Sequence, residues 1–78
     1  MTSRLPVVSG REAIRVFERL GYRVVRQRGS HVRLRHGTDP SRKPLTIPDH
    51  RVLKPGLLRH LMRDAQVDPE EFRQLLNR

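Results

Sequence analysis

The chain has no cysteine, which excludes a disulfide framework and a thiolate metal site. It has no tryptophan, and its aromatic residues are Phe17, Tyr22 and Phe72. Phe17 and Phe72 fall on apolar helix faces. No stacking platform of the kind that reads single-stranded bases is left, so strong base-sequence specificity is not expected. No apolar run approaches the ~18 residues that span a bilayer. Met1 to Arg4 lead into Leu5-Pro6-Val7-Val8, too short for a signal-peptide core. The expectation is a cytoplasmic protein with no membrane contact. Acids are scarce, with 8 Asp and Glu against 17 Lys and Arg and a net charge of +9. Lysine occurs only at Lys43 and Lys54, so the cations are almost all arginine. Arginine gives planar, bidentate contact to phosphate and stacks on bases, which points to nucleic acid.

What is there is unevenly spread. Between Glu18 and Asp39 no acid occurs, while Arg19, Arg23, Arg26, Arg28, Arg33 and Arg35 all do. The last fifteen residues carry Asp64, Asp68, Glu70 and Glu71 against Arg73 and Arg78. A basic middle and a mildly acidic tail suggest one polyanion-facing surface. The 78 residues make a single domain, 1–78, with a modest core and marginal stability expected.

Residues 1–8 read as an extended lead-in from which Leu5 and Val7 or Val8 pack on the core edge. Ser9-Gly10-Arg11-Glu12 is a capping box. Ala13, Ile14, Val16, Phe17 and Leu20 follow at helical spacing, and Gly21 suits a left-handed cap, so a helix over 10–20 is predicted. Tyr22 to Gln27 and His31 to Arg35 are strand-like and are joined by Arg28-Gly29-Ser30, a likely hairpin connection. A polar loop leads to a short strand, Leu45-Thr46-Ile47, ended by Pro48. Pro55 opens a helix over 55–65 with Leu57, Leu58, Leu61, Met62 and Ala65 on its apolar face. Asp68-Pro69-Glu70-Glu71 starts another over 69–77. The order α-β-β-β-α-α predicts an α+β fold, a three-stranded antiparallel sheet with helices on one face.

If 31–35 is a strand, Val32 and Leu34 face the core, while His31, Arg33 and Arg35 share the open face. An imidazole exchanges protons near neutral pH, and Gly29 beside it permits close approach of a ligand backbone. This suits a phosphodiester. Arg28, Arg33 or Arg35 can donate to phosphate oxygens, and Ser30 can hydrogen-bond one or serve as a turn residue. His50 either contacts RNA, supports His31 or tethers its loop. Lys54 ahead of Pro55-Gly56 either holds phosphate at a helix start or is a solvated lysine. His36 and His60 read as surface residues. The scattered histidines lack metal-ligand spacing, so no metal and no small-molecule cofactor are expected.

The ordered set Gly29-Ser30-His31 after a Tyr-containing strand, Ile47-Pro48-Asp49-His50, Lys54-Pro55-Gly56 with Leu58, Leu61 and Met62, and Glu70-Glu71-Phe72 resembles the HicA toxins over nearly the whole chain. Leu57 and Gln66 depart from the residues common there, Thr and Gly. The resemblance implies a bacterial or archaeal type II toxin with a fold similar to a double-stranded-RNA-binding domain. It implies cleavage of mRNA, with His31 at the family's essential histidine, and a HicB-like antitoxin that blocks the site. The alternatives are a non-catalytic RNA-binding module of the same fold and a toxin-derived partner in a DNA-binding repressor complex.

Overall fold

The computed structural model describes residues 5–78. Residues 1–4, the first half of the expected lead-in, lie outside the described residues. The elements are α1 (Gly10–Arg19), β1 (Tyr22–Arg28), β2 (His31–His36), β3 (Leu45–Pro48), α2 (Pro55–Ala65) and α3 (Pro69–Leu76). The strands form one antiparallel sheet in the order β1-β2-β3, so β2 is central.

Helix α1 starts at the capping box expected from sequence. Ser9 Oγ accepts from the Glu12 amide at 3.1 Å, and Glu12 Oε1 accepts from the Ser9 amide at 2.9 Å. Its buried face is Ala13, Val16 and Phe17, with Ile14 and Leu20 packed alongside. The chain turns out of the helix through Gly21 at φ 114°, where an added Cβ would strike the His36 ring. Helix α3 is capped by Asp68, whose carboxylate accepts from the Glu71 amide at 2.8 Å. Helix α2 ends on Gln66, which takes the left-handed conformation at φ 58° that glycine usually supplies.

All three helices pack on one face of the sheet. Val32, Leu34, Leu45 and Ile47 point into that layer and meet Val16, Phe17, Leu58, Leu61, Met62 and Phe72. Phe17 makes edge-to-face contacts with both Tyr22 and Phe72, at centroid distances of 5.9 and 5.7 Å. In the lead-in, Val8 is the residue that enters the core, whereas Val7 is 80% exposed. The opposite face of the sheet has no helix over it.

Candidate nucleic-acid interface

Residues paired across antiparallel strands share a face. Arg28 pairs with His31, Arg26 with Arg33 and Arg23 with Arg35; on the far side of β2, Arg33 pairs with Thr46 and His31 with Pro48. Because Val32 and Leu34 are in the core, all of these lie on the uncovered face. Five arginines and one histidine therefore occupy two adjacent strands. Among the described residues no carboxylate forms an ion pair with Arg23, Arg26, Arg28, Arg33 or Arg35. Arg33 Nη1 is held by Thr46 Oγ1 at 2.8 Å, which aims its guanidinium along the face.

A bulge in β1 makes this possible. Register with β2 shifts between Val24 and Arg26, leaving Val25 as the extra residue. In an unbroken strand with Tyr22 and Val24 facing the helices, Arg26 and Arg28 would face them too. Burying two guanidiniums without partners is far more costly than one irregular pair of residues. The strand bulges, and both arginines join Arg23 outside. Arg23 and Arg26 were visible in sequence only as part of an acid-free stretch. The out-of-phase pair Val24-Val25 was the available signal for the bulge.

The β1–β2 turn holds Gly29 at φ 54°, a backbone region that favours glycine, with open space where a Cβ would stand. Gln27 Nε2 donates to the Gly29 carbonyl at 3.1 Å. The Ser30 carbonyl accepts from the Asp49 amide at 2.6 Å, tying the turn to the loop after β3. His31 is exposed, and its ring has no hydrogen bond among the described residues. It is free to meet a ligand.

The segment 49–53 is pinned at further points. The His50 carbonyl accepts from the Gly10 amide at 2.8 Å, the Leu53 amide donates to the Val8 carbonyl at 2.8 Å, and Arg11 lies 3.4 Å from Asp49. His50 and Lys54 come together on one recess of about 230 Å³ that also takes in Pro48, Val52, Leu53 and Leu57. No hydrogen bond joins His50 to His31 among the described residues. Lys54 is the N-cap residue of α2 and its side chain does not cap the helix. Thus Arg28, Gly29, Ser30, His31, Arg33 and Arg35 form one continuous surface, with His50 and Lys54 at its β3 margin.

His36 departs from the surface role expected for it. It is half-buried against Tyr22, at 5.1 Å between centroids. Its Nδ1 accepts from the Asp39 and Thr38 amides at 2.9 and 3.2 Å, so Nε2 carries the proton and donates to the Leu20 carbonyl at 2.9 Å. The ring is a brace between α1 and the β2–β3 loop. Tyr22 donates to the Lys43 carbonyl at 2.7 Å, and burial pushes its hydroxyl up to about 12. In the same loop, hydrogen bonds from the Ser41 hydroxyl and amide hold the Asp39 carboxyl below its ordinary value. His60 is exposed and pairs with Asp64 at 3.4 Å. Among the described residues no three His, Cys, Asp or Glu side chains gather as a metal site would require. No helix among them is long and apolar enough to cross a membrane.

A sheet covered on one side and clad in arginine on the other defines a small α+β domain built to face a polyanion. The chain matches the family model described as the HicA toxin of bacterial toxin–antitoxin over residues 10–67, and it belongs to that family. The matched span ends before α3. Comparison with curated proteins and with solved structures finds no significant match to either. Membership makes the chain a toxin of a toxin–antitoxin pair and implies an antitoxin partner.

Proposed function

We propose that this toxin is an endoribonuclease that cleaves mRNA without a metal ion, with His31 as general acid or base. The observation that carries the reading is the His31 ring, exposed and unengaged, on a face of five arginines that no carboxylate neutralises. RNA brings its own nucleophile, the 2′-hydroxyl, so no activated water is required for the first step. His31 takes that proton or gives one to the departing 5′-oxygen. Arg28, its cross-strand neighbour, and Arg33 donate to the phosphoryl oxygens as charge builds on them. Ser30 and Gly29 shape the turn against which the backbone lies. Arg35, Arg26 and Arg23 carry flanking phosphates, and Lys54 and His50 those beyond β3. A HicB-like antitoxin with an acidic surface would cover this face and stop cutting, and charge complementarity would speed its capture.

Product-end analysis by mass spectrometry tests the chemistry. Cleavage persists in excess EDTA, and the upstream fragment ends in a cyclic 2′,3′-phosphate or its hydrolysed form. RNA with a 2′-methoxy group at the scissile position resists. His31→Ala loses roughly 10²–10⁴-fold in rate, the usual contribution of a positioned acid or base, and remains folded. A 5′-phosphate product, or recovery only with Mg²⁺, refutes the mechanism. Full activity in His31→Ala refutes the assignment of His31, and RNA binding without cleavage moves the chain to a binding module.

A further inference from the structure

We infer that the recess formed by Pro48, His50, Val52, Leu53, Lys54 and Leu57 is a nucleobase subsite, seating the base of the nucleotide beside the bond cut at His31. The inference rests on the endoribonuclease reading and adds to it where the RNA chain is read.

The recess adjoins the candidate catalytic residue through one shared side chain. Pro48 is the cross-strand partner of His31, so both stand on the uncovered face with Cα atoms spaced by roughly 4.5–5.5 Å as in any antiparallel pair. Pro48 also walls the recess. A ribose–phosphate held at His31 can therefore turn its base over Pro48 and into the space behind. The walls are aliphatic: Val52 is 56% exposed and Leu57 half-buried. An exposed valine next to a half-buried leucine offers apolar contact to a flat, unstacked base. His50 and Lys54 supply the polar atoms, suited to a base edge or the next phosphate.

The charge of the lining favours RNA here. No carboxylate lines this recess. By contrast, the groove between α1 and β1 carries Glu18 and Asp49, and the hollow on α3 carries Asp68, Glu70 and Glu71. Either would repel a polyanion. The recess is also preformed, because the Asp49 amide and the His50 carbonyl are both bonded to other segments and the Leu53 amide to Val8. No ordering cost falls on binding. An unstacked base can be selected this way by aliphatic walls and polar edges, without an aromatic platform. The family member thus has a means of base preference that its poverty in aromatic residues conceals.

The test uses the intact chain and a short RNA bearing 2′-methoxy groups throughout, so that it binds without being cut. Placing 2-aminopurine at one position at a time, we expect one position to change its fluorescence severalfold while its neighbours barely move. Val52→Asp abolishes that local change, and His31→Ala preserves it. In cleavage assays, an abasic residue at that position slows the wild type by roughly 5- to 150-fold, the range of a lost base contact, but slows Val52→Asp no further. An even response at all positions, or an unaltered signal in Val52→Asp, overturns the subsite. So does weaker capture of the antitoxin by Val52→Asp with the RNA signal intact, which would make the recess a protein anchor. Failure of the endoribonuclease reading shows separately, as absence of cutting in the unmodified RNA control.

Discussion

The five arginines of the uncovered face make a quantitative demand on RNA affinity. Each phosphate neutralised on a single strand releases condensed counterions and contributes about −0.7 to the slope of log K against log salt. With Arg23, Arg26, Arg28, Arg33 and Arg35 each engaging one phosphate, the slope is about −3.5. Raising salt from 50 to 200 mM then lowers affinity by roughly 100-fold. Arg26→Gln removes one contact and brings the slope to about −2.8, for a loss of roughly 50-fold over the same range. Arg26 is exposed and contributes nothing to the core, so the variant keeps its stability. Arg63→Gln, in the last turn of α2 on the helical side, leaves the slope unchanged. The measurement is fluorescence anisotropy of labelled RNA with His31→Ala protein, which separates binding from cleavage. A wild-type slope near zero refutes the cationic-face reading. Equal effects of Arg26→Gln and Arg63→Gln refute its localisation to the sheet.

Other substitutions test the scaffold. The Tyr22 hydroxyl titrates near 12 in the fold against an ordinary 10, so its share of stability is complete below pH 10 and is lost as pH rises through 12. That loss amounts to about 2–3 kcal/mol. Tyr22→Phe gives up a hydrogen bond worth about 1 kcal/mol at neutral pH, and its unfolding midpoint in urea should be flatter between pH 10 and 12 than that of the wild type. A Cβ at Gly10 would overlap the Pro48 carbonyl, so Gly10→Ala should destabilise by about 1–3 kcal/mol and detach the loop at His50, seen as lost amide protection there. Gln66→Gly relieves a left-handed non-glycine cap at the cost of an exposed bond to the Ser41 carbonyl, and should raise the thermal midpoint by a few degrees, about 0.5–1 kcal/mol.

Much of this architecture is local and so was legible in the sequence. Ser9-Glu12 and Asp68-Pro69 announce their helices because capping is settled within four residues. The alternation of Val32 and Leu34 with His31, Arg33 and Arg35 identified both faces of β2 for the same reason. What stayed hidden depends on distant partners. His36 looked superficial because its partner across the ring, the Leu20 carbonyl, lies sixteen residues away and leaves no mark on composition. The bulge follows from a conflict between Val24-Val25 and the arginines after them, and that conflict has meaning only once the helices choose a side. The meeting of His50 with Lys54 likewise depends on how the loop is pinned to Gly10, Val8 and Ser30.

The one-sided loading of the sheet also bears on how such a protein changes over generations. The residues that hold the fold and those offered to the ligand are nearly disjoint: none of Arg23, Arg26, Arg28, His31 or Arg35 belongs to the buried cluster. The usual trade-off between stability and activity is therefore weak on this face. A single codon change there can silence or retune the toxin while the chain still folds, so attenuation requires no passage through a misfolded intermediate.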